Sequence, residues 1–194
     1  MKSSLALLML LAMALIMAPL LGQALPGQSE KAVDKWFKKQ AHAKPKMSKI
    51  RLFIHDVASG PDPSIVPVAK ANGTAKSRTQ FGVVNVVDDL LTSRPGDKSE
   101  EVGYVQGVYV SASKEAVSLL VALNFVFTDA KYNGSTLSVL GRIAEFSDNR
   151  EFPVLGGSGN FRLAQGIVVA KVHSADASTG NRIVECRFHV LHYG

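Results

Sequence analysis

Asp56 is the one residue whose position suggests acid chemistry. It closes the apolar run Ile50-Arg51-Leu52-Phe53-Ile54-His55-Asp56-Val57. Side chains alternate along a strand, so counting by two puts Asp56 on the face of Leu52 and Ile54. A carboxyl group on an apolar face loses solvation; its pKa rises, and it can act as an acid. A strand-end Asp that caps the turn at Ser59-Gly60 accounts for the same residue. Tyr109 offers a phenol and Arg150 a cation, but their spacing does not single them out.

The common catalytic templates fail. Gly156-Gly157-Ser158-Gly159 is followed by Asn160, where a nucleophile elbow needs its last Gly. No Lys-Ser/Thr follows to make it a phosphate loop. The single cysteine, Cys186, falls inside a predicted strand and reads as core. One cysteine allows neither an intramolecular disulfide nor a Cys-based zinc site. His189 and His192 are three apart on a strand, so they face opposite sides and cannot share a metal. The sequence therefore suggests no metal and no cofactor, and leaves acid–base work in a pocket or positioning alone.

The elements that must hold these residues are strands. From Ile50 onward, short β-branched runs are separated by Gly, Pro, Asn and Asp clusters. Strands are expected near 50–57, 64–70, 80–88, 102–112, 117–128, 135–143, 161–173 and 182–193, with a short extra one near 150–155. No helical crossover lies between them, so the sheet should be antiparallel. Eight such strands close into a barrel that holds one small ligand. Leu119, Val121, Leu123, Phe125 and Phe127 point one way, while Leu120, Ala122 and Val126 point the other. Both faces must then avoid water. A barrel interior covers the first, and a second copy of the chain is expected to cover the other.

The 194 residues carry a net charge of +6, unevenly spread. Residues 31–51 hold eight Lys/Arg against one Asp, and residues 52–194 hold thirteen Lys/Arg against fourteen Asp/Glu. A near-neutral body argues against nucleic-acid binding. Lys2, the apolar run Leu5–Leu21 and Gly22-Gln23-Ala24 read as a secretory signal peptide over residues 1–24. Residues 25–49 then form a basic, flexible segment, and 50–194 the barrel. No membrane span is expected in the mature chain, and the extracellular space is the expected location. Asn72-Gly73-Thr74 and Asn133-Gly134-Ser135 are N-glycosylation sequons in turn-forming sequence.

Several ordered blocks resemble the plant dirigent proteins. They run from Phe53-Ile54-His55-Asp56-Val57 through Phe81-Gly82-Val83-Val84, Asp88-Asp89-Leu90-Leu91-Thr92, Gln106-Gly107 and Tyr109. Phe125-Val126-Phe127-Thr128, Tyr132 to Arg142, Arg150-Glu151, Pro153-Val154 and Ala164-Gln165-Gly166 continue the series. The resemblance covers residues 50–194 and implies an all-β, eight-stranded antiparallel barrel, related to allene oxide cyclase, with an apolar central cavity. It implies a secreted homo-oligomer, dimer or trimer, often glycosylated, that binds phenolic ligands and oxidises nothing itself. A laccase or peroxidase would supply monolignol radicals, and the barrel would steer their coupling by orientation. Carried over, the family's pocket residues fall on Asp56 as acid, Tyr109 as hydrogen-bond donor and Arg150 as anchor for phenolic oxygens.

Ile143 stands where many members carry a second pocket aspartate or asparagine. A mechanism needing two carboxylates there does not carry over. Two other readings fit the same barrel: a one-acid cyclase or dehydratase, and a non-catalytic phenolic-binding defence protein.

Overall fold

The computed structural model describes residues 29–96, 98–144 and 149–194. The expected leader at 1–24 lies outside them. The chain divides into two compact units, Met1–His42 and Ala43–Gly194. In the first, helix α1 spans Glu30–Gln40. Ser29 starts it by accepting the Ala32 N–H on its hydroxyl, and Lys38 pairs with Asp34 one turn back at 2.7 Å.

The second unit is built from nine strands: β1 (Lys46–Asp56), β2 (Ile65–Ala69), β3 (Val84–Thr92), β4 (Glu101–Ser111), β5 (Ser118–Phe127), β6 (Thr136–Ala144), β7 (Asn149–Ser158), β8 (Gln165–Ala175) and β9 (Arg182–His192). All pairings are antiparallel, in the order β1-β9-β8-β7-β6-β5-β4-β3-β2, and β1 also pairs with β3. That last pairing closes an eight-stranded barrel. β1 holds the edge of β3 at Leu90–Thr92, and β2 takes over the same edge at Val84–Val87.

Four sequence expectations need correction. The strand expected at 50–57 begins at Lys46, inside the segment expected to be flexible, because Lys46 to Lys49 pair with His192 to His189. The strand near 150–155 is a full stave of ten residues. The strand expected at 80–88 lies at Val84–Thr92, because Gln80 takes a left-handed turn conformation at φ 55° and Leu90 to Thr92 pair with β1. The strand expected to start at 161 starts at Gln165, after a 3-10 turn over Gly159–Phe161.

The alternation on β5 holds. Val121, Leu123, Phe125 and Phe127 are buried inside, while Leu120 is exposed outside. One end of the barrel is plugged by rings. Phe161 packs on Phe127, Tyr132 and His192 with centroids 5.3, 4.9 and 5.3 Å away. The other end is left for a cavity.

Candidate ligand cavity and its carboxylates

The cavity has a volume of about 480 Å³, within the usual range for small-molecule sites. Ile54, Val121, Phe125, Val139 and Val168 form its floor and walls. Asp56 from β1, Tyr109 from β4 and Arg150 from β7 all line it, so the residue read from the strand pattern and the two carried over from the resemblance meet in one chamber. Ile143 lines it too; β6, which carries it, lies opposite β1 in the ring.

The turn after β1 is capped without Asp56. The Val57 N–H donates to the Ser64 hydroxyl at 2.9 Å. The Ala58 and Ser59 N–H groups donate to Asn181 Oδ1. Asp56 is buried instead, and its Oδ1 has no hydrogen-bond partner. Burial raises its pKa, and Arg182, its cross-strand neighbour on β9, acts against that rise.

Two functional groups escaped the sequence reading. Asp89 on β3 is wholly buried and interacts electrostatically with Asp56 and Tyr109, which line the cavity. Its Oδ1 accepts the Ser64 hydroxyl at 2.5 Å, and its Oδ2 has no partner. Burial lifts its pKa to about 7, against the Ser64 hydrogen bond and with help from the Asp56 and Asp88 charges. Arg182 is the other, a cation at the mouth of the cavity. Strand parity could have found Asp89, because it shares a face with the buried Val87 and Leu91.

Tyr109 keeps its proton. Burial, and then the nearby Asp89 and Asp56 charges, push its phenol far above the ordinary value, so it acts as a donor. Arg150 Nε is buried without a partner in a residue that lines the chamber, a donor that a ligand oxygen would satisfy. Cys186 also lines the chamber, but burial pushes its thiol up to about 12, which makes it a poor nucleophile. No cluster of three or more potential metal-binding side chains occurs among the described residues.

The fold and site define a class: a closed eight-stranded antiparallel β-barrel whose internal chamber carries carboxyl, phenol and guanidinium groups. Dirigent-like protein is the family that matches residues 47–191, and the chain belongs to it. Pterocarpan synthase 1 of Glycyrrhiza echinata is 43% identical over 149 residues, 76% of this chain and 79% of the relative. Pterocarpan synthase 1 of Glycine max is 44% identical over 74% of this chain and 78% of its own. Dirigent protein 23 of Arabidopsis thaliana is 40% identical over 77% of this chain and 80% of its own. A solved pterocarpan synthase dirigent protein superposes with a TM-score of 0.71 at 40% identity, covering 78% of this chain and 87% of that one.

Proposed function

We propose that the barrel binds a phenolic ligand and that Asp56 acts on it as a general acid, in a cyclisation or dehydration of a closed-shell substrate. The observation that carries this reading is the buried, unpartnered Asp56 carboxyl in the cavity, with Tyr109 and Arg150 on the same walls. Similarity to two pterocarpan synthases supports it. The Asp56 proton passes to a benzylic hydroxyl oxygen, which leaves as water. The ring phenol gives up its proton to solvent, and a quinone methide forms. A second phenol then adds to the benzylic carbon, its proton returns to Asp56, and the ring oxygen is reprotonated. Arg150 and Tyr109 hold the phenolic oxygens, which fixes the face attacked.

The test is product formation from a phenol bearing a benzylic hydroxyl, with no oxidase present. Turnover that falls by about 10²–10⁴-fold in Asp56→Asn supports the reading. Equal rates with and without the protein would sink it.

Steering of radical coupling is the second reading, favoured by a cavity roomy enough for two small phenols and by similarity to the Arabidopsis dirigent proteins. Chiral chromatography of coniferyl alcohol products formed by a laccase tests it. Enantiomeric excess that rises with protein concentration is its signature.

We also propose that the protein is a secreted homo-oligomer, on the leader-like residues 1–24 and the apolar outer side of β5. Both sequon asparagines, Asn72 and Asn133, lie exposed in turns where a glycan has room. No helix among the described residues is long and apolar enough to cross a membrane.

A further inference from the structure

The register between β1 and β3 runs Phe53↔Thr92, Ile54↔Leu91 and His55↔Leu90. Continued one step beyond the last paired residues, this register opposes Asp56 to Asp89, and the Asp56 charge acts on Asp89. Residues opposed across an antiparallel pair share a face, with Cβ atoms roughly 4.5–5.5 Å apart. Each of these carboxyl groups has one oxygen without a partner, Asp56 Oδ1 and Asp89 Oδ2. The remaining oxygen of Asp89 is engaged by Ser64, whose own acceptor site takes the Val57 N–H, so its hydroxyl proton is committed to Asp89.

Two ionised carboxylates buried side by side repel each other at close range. One proton between the two orphaned oxygens satisfies both and removes one of the two like charges. We propose that Asp56 and Asp89 share a single proton, and that Asp89 is the positioning residue that keeps Asp56 ready to donate. The catalytic part of this proposal rests on the reading of Asp56 as the acid.

The surroundings fit one negative charge on the pair. Arg182 on β9 flanks Asp56 on the side away from β3. Tyr109 on β4 faces both carboxyls as a neutral phenol. Cys186 on β9 acts on Tyr109 and stays a thiol. Arg150 lies on β7, across the ring from β3. Asp88 adds a further negative charge, but it is exposed on the outer face and hydrogen-bonded by Gln106 at 3.0 Å. Burial favours the protonated form of both members, which agrees with a retained proton.

The transfer balances. When Asp56 gives the shared proton to the ligand oxygen, the O–H bond at the pair breaks and one on the ligand forms. Both carboxyl groups are then carboxylates, Asp89 held by the Ser64 hydroxyl and Asp56 facing the Arg182 charge. The proton released by the attacking phenol later restores the pair.

Infrared difference spectroscopy of the full chain across a pH titration tests the sharing without any substrate, following the C=O stretch of protonated carboxyl. Loss of this band above the ordinary carboxylate range is expected in the wild type. Asp89→Asn and Asp56→Asn should each move its midpoint down by at least about one pH unit, because each removes the like-charged neighbour. Ser64→Ala should move it up, because it removes a hydrogen bond that favours ionised Asp89. A midpoint unchanged in Asp89→Asn, or unchanged in Asp56→Asn, would show that one residue holds its proton alone and would overturn the proposal. In the activity assay, Asp89→Asn should shift the alkaline fall of the rate to lower pH while Asp56→Asn abolishes turnover. If the spectra behave as expected but no turnover is found, the shared proton stands and the catalytic reading fails.

Discussion

A Cβ on Gly141 would sit 2.5 Å from Cδ1 of Phe152. Gly141 on β6 and Phe152 on β7 face the same interior, and the missing side chain is what lets the Phe152 ring lie in the cavity wall. Gly141→Ala should therefore push that ring toward the ligand space. The expected result is a protein less stable by about 1–3 kcal/mol, as for other overpacked cores, with weaker ligand binding. Thermal denaturation and a phenolic-ligand titration measure the two effects. Unchanged binding would mean that the ring yields in another direction.

This relationship also marks the limit of what the sequence made legible. The interior of β5 could be read from alternation because Leu119 to Phe127 is apolar at every inward position. Asp56 could be placed because it ends a clean alternating run. β7 could not be read as a stave, because Pro153, Gly156 and Gly157 carry turn signals. It is held by its two neighbours, with a register shift against β6 between Ser138 and Val139. Asp89 was missed for a related reason. Asp88-Asp89 looks like the end of a strand, yet β3 continues through Leu90, Leu91 and Thr92 because β1 and β4 bind both its edges. Arg182 stands at a strand start, where a charged residue is unremarkable. Tertiary pairing decided these positions and local pattern did not.

Asp89 should also write a slope into the stability curve. Its pKa is about 7 in the folded chain against an ordinary 3.8 for an aspartate side chain. A carboxyl group with a raised folded pKa is destabilising once it ionises. Its cost is absent below about pH 4, grows as pH rises through the interval, and is complete above about pH 7. The full shift corresponds to a loss on the order of 4 kcal/mol. Denaturant unfolding should accordingly show the wild type less stable at pH 8 than at pH 5. Asp89→Asn should flatten that difference, and a variant that keeps the wild-type slope would assign it to other groups. Asp176 and Glu185, whose pKa values are lowered by Ser178 and by Arg187 and Arg51 respectively, act in the opposite sense. Their stabilisation is present above the ordinary carboxylate range and is lost as pH falls through their lowered folded values, below the interval from pH 5 to 8. Asp56, also raised by burial, acts in the same sense as Asp89, while His192, lowered by burial and by Lys46, acts against it, so the Asp89→Asn comparison isolates the Asp89 part of the slope.

The ring plug should be structural and not part of ligand binding. Phe161 is fully buried among Phe127, Tyr132 and His192, at the end of the barrel away from Asp56. Phe161→Ala should cost about 3–5 kcal/mol, the usual range for removing a buried aromatic ring. Ligand affinity, measured below the melting transition, should stay within a few-fold of wild type. A large loss of affinity with little loss of stability would place the ligand deeper than the carboxyl end of the chamber.

The outer face of the barrel carries a row with no interior to enter. Val66, Val86, Val108, Ala122 and Leu140 are successive cross-strand partners over β2, β3, β4, β5 and β6. Val66, Val86 and Leu140 are each 40% exposed, and Leu120 lies exposed beside the row. The next row is polar and internally bonded. Gln106 donates to Asp88 at 3.0 Å, and the Ser138 hydroxyl donates to Asn124 at 2.7 Å. An apolar strip bordered by a polar one is the anatomy of a protein interface, and contiguous aliphatic surface of this kind is uncommon on monomers. A second copy of the chain is the proposed cover. Light scattering at micromolar concentration should therefore report a homo-oligomer for the wild type. Leu140→Lys with Val86→Lys should release monomers, because two buried ammonium groups would have no partner in a self-complementary interface. The barrel itself should survive, since neither side chain contributes to the interior. A wild-type chain that scatters as a monomer would remove the second copy as the cover.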